Sequence, residues 1–337
     1  MQVPLTILNE TIQPGKRATV RLPVAGLYTH TEMFLPVHVV HGRQTGPCLM
    51  VCAAVHGDEI IGTEIIHRLM KIKKINRLRG TLLAVPVVNV YGFVQHSRYS
   101  PDRRDLNRFF PGSEKGSLTS QLADVFMREV AGKCTHGIDL HAGSNHRTNL
   151  PQIRVDMNDP VNRDLAVAFR TPVIVNAQLR EGSLRAVLRE RQVPYLLYEG
   201  GEASRFDETA IRAGVRGILA VMEAIGMLRP RKTGKKPLAP LIAEATRWVR
   251  APASGLLHMS VPLGSRVTED TRIGAIVDPF GGPETAIRTP ISGMVIGRLN
   301  LPLVHQGDAV IHVAEIESPA DIAPLIQKFN ADMSDTE

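Results

Sequence analysis

A chain of 337 residues is long enough for one large and one small domain, because a single core usually stops growing at about 250 to 300 residues. Hydrophobic residues make up 43% and charged residues 22%, which excludes a disordered or fibrous chain. The net charge of +7 comes with only 4% aromatic residues, so the composition favours an anionic small-molecule partner over nucleic acid.

The sequence also predicts the compartment. No apolar run reaches the roughly 18 to 20 residues that cross a bilayer, and the N-terminus lacks the basic stretch and apolar core of a signal peptide. We therefore expect a cytoplasmic protein with no membrane partner. Cys48, Cys52 and Cys134 are too few and too unevenly spaced for a disulfide framework or a thiolate metal site, so we expect buried apolar roles for them.

The order of predicted strands and helices along the chain indicates an α/β domain at residues 46–228, preceded by an N-terminal β segment at residues 1–45. Short apolar runs alternate with helical stretches throughout this domain. The strands are apolar along their whole length, which predicts a sheet covered by helices on both faces. Strands are predicted at 48–55, 81–88, 136–140, 173–176 and 195–199, and helices at 59–74, 118–132, 182–192 and 207–226.

The pattern changes after this domain. Residues 229–244 include the basic, proline-containing run RPRKTGKKPLAP, which is typical of a solvated linker. Residues 245–316, called the β module below, contain short strands separated by glycine and proline, and the segment 251–267 is echoed at 289–310. Two such halves predict a small β-sandwich, followed by a C-terminal tail at 317–337.

The strongest chemical signal is the HGDE sequence, in which His56 and Glu59 lie at a turn from a strand to a helix. In open α/β folds, ligands bind at the carboxyl ends of the strands, so side chains at this edge of the sheet can contact a ligand. His141 directly follows the predicted strand HGIDL and is expected at the same edge. Two histidines and one carboxylate are a known ligand set for catalytic zinc, which keeps one position open for water.

A second signal is the arginine-rich loop YSPDRRDLNRFFPG at residues 99–112. The planar guanidinium of an arginine binds a carboxylate at two points, and a neighbouring asparagine amide can donate to the same group. Asn107 and Arg108 are therefore candidates for binding a substrate carboxylate, provided that the loop lies beside the metal site.

The third signal is Glu199, which ends an apolar strand and precedes two glycines in YEGG. A carboxylate in that position suits the mouth of an active site, and a turn or capping role is the alternative. A zinc hydrolase needs a carboxylate beside the metal to take a proton from water. Asp139, two residues before His141, is a candidate for orienting that histidine.

Taken together and in this order, HGDE, DLNRFFPG, DLH and EGG resemble the succinylglutamate desuccinylase and aspartoacylase family of the zinc carboxypeptidase clan. The resemblance covers about residues 45–228. It implies a zinc-carboxypeptidase-like mixed sheet flanked by helices and one zinc ion per chain. The implied zinc ligands are His56, Glu59 and His141.

The resemblance also implies roles for other residues. Glu199 corresponds to the general base, and Asn107 with Arg108 corresponds to the clamp on the substrate carboxylate. Arg98 matches the arginine that polarises the scissile carbonyl. Arg103 and Arg104 are alternatives, because the spacing between Arg98 and DLNR is two residues longer here than in the shorter members of the family.

The β module resembles the lipoyl and biotinyl carrier domains, also called barrel-sandwich hybrids. Those domains carry a modified lysine on the hairpin between their two halves, and the equivalent stretch here, DPFGGPETAIRTP at 278–290, contains no lysine. We therefore expect no covalently attached cofactor. The expected role is to shape access to the active site or to support a homo-oligomer.

These observations predict a zinc-dependent hydrolase that cleaves the amide bond of a small anionic N-acyl amino acid. One alternative is a metallocarboxypeptidase acting on a short peptide, since the clan supports both. The other is a non-catalytic, metal-dependent binding module. Glu199 argues against the last, because binding alone does not require a base beside the water.

Overall fold

The computed structural model describes residues 2–230, 239–316 and 322–334. Much of the predicted linker at 229–244 and part of the predicted tail at 317–337 therefore lie outside the described residues. Within the described residues, no helix is long and apolar enough to cross a membrane. Cys48, Cys52 and Cys134 are all unpaired, and the last two are buried.

The fold consists of one large mixed sheet with helices on both faces and an antiparallel β region at the C-terminal end. The helices are α1 (Ile61–Lys71), α2 (Val90–Val94), α3 (Leu118–Glu129), α4 (Pro160–Phe169), α5 (Leu184–Glu190), α6 (Glu208–Ala224) and α7 (Ile322–Ser334). The first ten strands are β1 (Leu5–Ile7), β2 (Glu10–Ile12), β3 (Arg17–Val24), β4 (Met33–His41), β5 (Gln44–Ala53), β6 (Arg79–Val85), β7 (His136–Gly143), β8 (Arg147–Val155), β9 (Val173–Asn176) and β10 (Tyr195–Glu202). The remaining strands are β11 (Leu241–Ala243), β12 (Thr246–Arg250), β13 (Gly255–Met259), β14 (Arg266–Val267), β15 (Arg272–Val277), β16 (Thr285–Arg288), β17 (Gly293–Leu299), β18 (Leu303–Val304) and β19 (Ala309–Ala314).

The centre of the large sheet is parallel. Its strand order is β12-β19-β17-β8-β10-β7-β5-β6-β4-β3, and β10, β7, β5 and β6 run in the same direction. β4 and β3 continue the sheet as antiparallel strands on one side, and β8 does so on the other. The loops that follow β5, β6, β7 and β10 therefore leave the sheet at one shared edge.

Alternating side chains of β5 show how the sheet is covered. Leu49 and Val51 pack into a core that α1, α4 and α6 complete, whereas Met50 and Cys52 pack into an opposite core that includes α3 and α5. Side chains in a strand alternate between faces, so a strand that is apolar at every position must be buried on both. The predicted α/β sheet with helices on both faces is confirmed.

The β module has its own core between two layers. The sheet β16-β15-β13-β18 lies over β12, β19 and β17, and residues such as Leu257, Ile276, Val295 and Ile311 fill the space between them. β17 also pairs with β8, with Gly297 opposite Asn149. The large sheet thus continues from the α/β domain into the β module through backbone hydrogen bonds.

Several boundaries differ from those predicted. His141 lies within β7 rather than after it, and β10 continues beyond Glu199. β8 was not predicted, because its sequence RTNLPQIRV is polar and contains Pro151. A central strand tolerates proline only where the pairing is irregular, and the register between β8 and β10 shifts beside Pro151.

Candidate active site

Three buried side chains with metal-binding atoms meet at the carboxyl edge of the parallel strands. His56 and Glu59 lie in the loop from β5 to α1, and His141 lies on the neighbouring strand β7. One ligand atom from each of the three residues lies within 4.8 Å of the other two. The structure therefore brings together the three residues that the sequence suggested as metal ligands.

The Glu59 carboxylate lies between the two imidazoles. Its Oε1 is 2.8 Å from Nδ1 of His56, and its Oε2 is 2.8 Å from Nδ1 of His141. Electron-pair donors that face one another at this distance need positive charge between them, which protons on the imidazoles or a metal cation can supply. Two imidazole nitrogens and one carboxylate oxygen are a donor set of catalytic zinc sites, so the residues fit a zinc ion.

A second carboxylate orients each histidine from the far side of its ring. Nε2 of His56 lies 3.1 Å from Oδ1 of Asp105, and Nε2 of His141 lies 2.7 Å from Oδ2 of Asp139. The Tyr195 hydroxyl donates to the same Asp139 oxygen at 2.7 Å. A proton on Nε2 leaves the Nδ1 lone pair available, so these contacts favour the tautomers that can bind a cation through Nδ1.

Asp105 was missed by the sequence analysis, which suggested only Asp139 for this orienting role. Asp105 opens the DLNR sequence, and its carboxylate also accepts from the Asn107 backbone N–H at 3.0 Å. An acidic residue in the same loop as the predicted clamp was a usable signal. The sequence does not show, however, that this loop folds back onto His56.

Burial and charge act in opposite directions on the cluster. Burial lowers the pKa of His56, but Glu59 and Asp105 outweigh it and raise that pKa. The pKa of His141 is likewise lowered by burial and raised by Asp139 and Glu59, to well above its usual range. Burial raises the pKa of Glu59, whereas the two imidazoles hold it well below its ordinary value. The surroundings therefore keep Glu59 ionised and favour positive charge beside it.

Arg98 lies at the edge of this cluster. Its Nη1 donates to the Ser144 hydroxyl at 2.6 Å and approaches Oε1 of Glu59 at 3.3 Å, while its Nη2 donates to Asp105 at 2.9 Å. The Arg98 guanidinium is thus fixed in position beside the atoms that could hold a metal.

The two alternatives to Arg98 lie elsewhere. Arg103 and Arg104 are both exposed. The Arg104 guanidinium lies over the Phe109 ring and is 3.5 Å from Asp102. Neither arginine lines the cavity that contains the cluster.

Asn107 and Arg108 form a short 3-10 turn that lines the cavity. Oδ1 of Asn107 accepts from the Leu184 backbone N–H at 3.0 Å, so the Nδ2 end of this amide is the one that can serve a ligand. Nη1 of Arg108 donates to the Asn107 carbonyl. The Asp105 cap and these contacts fix the turn that presents both side chains.

Glu199 lies beside His141 in the sheet. The two residues are partners in the parallel pairing of β10 and β7, and paired residues on neighbouring strands point to the same face. Oε2 of Glu199 accepts from Nδ2 of Asn149 at 2.8 Å, and Oε1 lies 3.7 Å from Nε of Arg154. The structure therefore places a partly buried carboxylate, which is not part of the metal-binding cluster, in the same cavity.

The cavity has a volume of about 680 Å³ and is rich in arginine. Nε of Arg154 and Nη1 of Arg185 are buried, and neither has a hydrogen-bond partner among the described residues. Neither residue stands out in the sequence, because Arg154 lies on the unpredicted strand β8 and Arg185 lies in a helix without a recognisable motif. The arginines that line the cavity are Arg98, Arg108, Arg147, Arg154, Arg180 and Arg185.

The β module supplies part of the cavity wall. Trp248 lines the cavity and stacks on His312, with 4.4 Å between ring centroids and 4° between ring planes. The Arg147 guanidinium lies 5.2 Å from the centre of the Trp248 ring. Burial, together with Arg154, lowers the pKa of His312 to about 3, so this stack contains a neutral imidazole.

Several known proteins are similar to this chain in sequence or in fold. The succinylglutamate desuccinylase/aspartoacylase catalytic domain matches residues 45–225, more than half of the chain. The chain belongs to this family. The N-alpha-acetyl-L-2,4-diaminobutyric acid deacetylase of Halomonas elongata is 28% identical over 298 residues, which cover 84% of this chain and 86% of the relative.

Two solved structures illustrate the shared fold. A succinylglutamate desuccinylase/aspartoacylase from Rhodobacter sphaeroides is 23% identical, with a TM-score of 0.78 over 89% of this chain and 95% of that one. The product-bound ectoine utilization protein of Ruegeria pomeroyi is 23% identical, with a TM-score of 0.81 over 94% of this chain and 100% of that one. At 23% identity, the similarity to these two structures shows a shared fold and nothing further.

The orienting role of Asp105 can be tested by Asp105→Asn. The amide keeps the shape of the side chain but loses its charge, so zinc affinity should fall by about 10-fold to 100-fold. Competition with a chromogenic chelator measures the affinity. Glu64→Gln is a matched control, since Glu64 accepts from His67 on the exposed side of α1 and should not affect zinc. Equal affinities for Asp105→Asn and the unsubstituted protein would show that Asp105 does not support the site.

Proposed function

We propose that this chain is a zinc-dependent hydrolase that cleaves the amide bond of a small anionic N-acyl amino acid. The observation that carries the proposal is the placement of the buried cluster His56, Glu59 and His141 in one cavity with Glu199. Membership of the family and the deacetylase name of the Halomonas elongata relative support the same reaction class.

His56, Glu59 and His141 would hold one zinc ion per chain, with Asp105 and Asp139 orienting the two imidazoles. When bound, zinc lowers the pKa of a coordinated water and polarises a carbonyl oxygen.

Glu199 is the proposed general base. Its carboxylate takes a proton from the attacking water, and the water oxygen forms a bond to the amide carbon. The C–N bond then breaks, and protonated Glu199 returns the proton to the leaving nitrogen. The new carboxylic acid gives its proton to the amine, so the products are a carboxylate and a protonated amine. Asn149 occupies Oε2 of Glu199, so Oε1 is the atom that accepts the proton.

The cavity arginines bind and orient the substrate. Arg98 is the proposed donor to the oxygen that becomes negative in the transition state, because its guanidinium is fixed beside Glu59. Asn107 and Arg108 would bind the substrate carboxylate. Arg185, whose Nη1 has no hydrogen-bond partner among the described residues, and Arg154, whose Nε lies 3.7 Å from Oε1 of Glu199, add to the anionic preference of the cavity.

A metallocarboxypeptidase and a non-catalytic, metal-dependent binding module remain the competing proposals. The volume of about 680 Å³ lies within the usual range of small-molecule pockets. The wall that the β module adds at Trp248 bounds the cavity on one side. Both observations favour a small acylated amino acid over a peptide.

The organisation of the whole chain is also proposed. We assign the hydrolase domain to residues 46–228, after an N-terminal β segment at 1–45, and the lipoyl-like β module to residues 245–316. The linker at 229–244 includes β11, which pairs with β9 and is therefore part of the sheet, and the tail at 317–337 includes α7. A cytoplasmic homo-oligomer without a nucleic-acid partner is the proposed working form.

The reaction is tested by measuring amine release from acetyl, succinyl and formyl amino acids and from short peptides. The zinc-loaded protein should hydrolyse at least one N-acyl amino acid, lose this activity when a chelator removes the metal and regain it when zinc is added. Hydrolysis of peptides alone would favour the carboxypeptidase. Ligand binding without any hydrolysis would favour the binding module.

The general base is tested by Glu199→Gln, which keeps the shape of the side chain but removes its basicity. The turnover number kcat should fall by about 10²-fold to 10⁴-fold, while zinc content and melting temperature stay the same. Glu202→Gln, on the same strand, is the matched control and should keep its activity. Full activity in Glu199→Gln would move the base to another residue.

The clamp is tested by Arg108→Lys, which keeps the charge but loses the planar two-point geometry. We expect kcat/KM to fall by roughly 30-fold to 1,000-fold. Arg104→Lys, in the same loop but outside the cavity, should have no effect. A substrate analogue with a neutral amide in place of its carboxylate should lose little further activity with Arg108→Lys. An equal loss for both substrates would rule out the clamp.

A further inference from the structure

Asn149 is a buried side chain that connects the β module to Glu199. It lies on β8, which pairs with β10 on one side and with β17 of the β module on the other. Its backbone partners are Gly201 on β10 and Gly297 on β17. Its Nδ2 donates to Oε2 of Glu199 at 2.8 Å. Asn149 therefore contacts the proposed base through its side chain and the β module through its backbone.

Gly297 is the residue of the β module that faces this amide. A Cβ atom added at Gly297 would lie 2.9 Å from Oδ1 of Asn149, and 3.2 Å from Cβ of His312. The backbone of Gly297 does not have a positive φ, so its conformation does not require glycine. Glycine is favoured at position 297 for a different reason, because the Asn149 amide occupies the space in which a Cβ atom would lie.

The direction of the amide follows from its neighbours. A carboxylate can only accept hydrogen bonds, so the Nδ2 end of Asn149 must face Glu199 and the Oδ1 end must face Gly297. A methyl group at position 297 would push on Oδ1 and so displace the amide that donates to Glu199. An amide that is 7% exposed has little room to move elsewhere.

We propose that Asn149 is the positioning residue of Glu199, and that Gly297 is the point at which the β module controls it. Asn149 holds Oε2 and so presents Oε1 to the reacting water. This inference rests on the proposed function, in which Glu199 is the base. It gives the β module a part in the reaction in addition to forming the cavity wall.

The test is a double-mutant cycle on kcat and KM, with Asn149→Ala, Gly297→Ala and the double variant. Asn149→Asp is a second, near-isosteric change that cannot donate to Glu199 when ionised. Asn300→Ala is the matched control, because Asn300 of the β module donates from Nδ2 to Glu202 at 2.9 Å across the same interface. Zinc content and melting temperature are measured for every variant.

Each single change at Asn149 or Gly297 should lower kcat by about 10-fold to 100-fold with little change in KM. The double variant should be no slower than Asn149→Ala, because Gly297 acts through Asn149. Asn300→Ala should keep the kcat of the unsubstituted protein. The inference is overturned by normal kcat in the Asn149 variants, or by losses for the two sites that multiply in the double variant.

A second readout does not depend on activity. The side-chain amide resonance of Asn149, identified by its absence in Asn149→Asp, should move in Glu199→Gln and in Gly297→Ala but not in Glu202→Gln. A resonance that stays in place in the first two variants overturns the inference. If the protein hydrolyses nothing in the substrate panel while this resonance moves, the proposed function fails and the positioning contact stands.

Discussion

The Glu59 carboxylate, buried between two imidazoles, is the interaction on which the rest of the site depends. An ionised carboxylate in a buried position is strongly unfavourable unless positive charge and hydrogen-bond donors surround it. Here His56, His141 and Arg98 approach it, and the Ser144 hydroxyl and the Ala142 backbone N–H donate to it. A metal cation suits the position for the same reason. Asp105 and Asp139 then fix the two rings that complete the donor set.

Strand pairing in the large sheet sets the relative positions of the residues in the site. His141 on β7 and Glu199 on β10 are register partners, so ordinary strand pairing sets the distance between a proposed metal ligand and the proposed base. Because β8 pairs with both β10 and β17, the same sheet also carries the β module to the cavity. A module that would otherwise be a separate domain thus contributes Trp248 to the wall and Gly297 to the packing around Asn149.

Local pattern was enough to predict the parallel central strands, the helices α1, α3, α5 and α6, and the three candidate ligands, whereas α2, α4 and α7 were not predicted. Apolar runs identify strands that are buried on both faces, and a polar residue just after such a run stands out, as His56 does. Contacts between distant segments left no such signal. Asp105 meets His56 across 49 residues, and Asn149 meets Glu199 across 50. β8 carries Asn149 and Arg154, and its polar residues and Pro151 resemble a loop until the irregular pairing with β10 is seen.

We propose that His56, Glu59 and His141 form a metal site open to water, and X-ray absorption at the zinc edge of the zinc-loaded protein can test this proposal. We expect two imidazole nitrogens at about 2.0 Å, with oxygen atoms from one carboxylate and from water completing the coordination. A sulfur ligand at about 2.3 Å, or fewer than two imidazoles, would contradict the assignment.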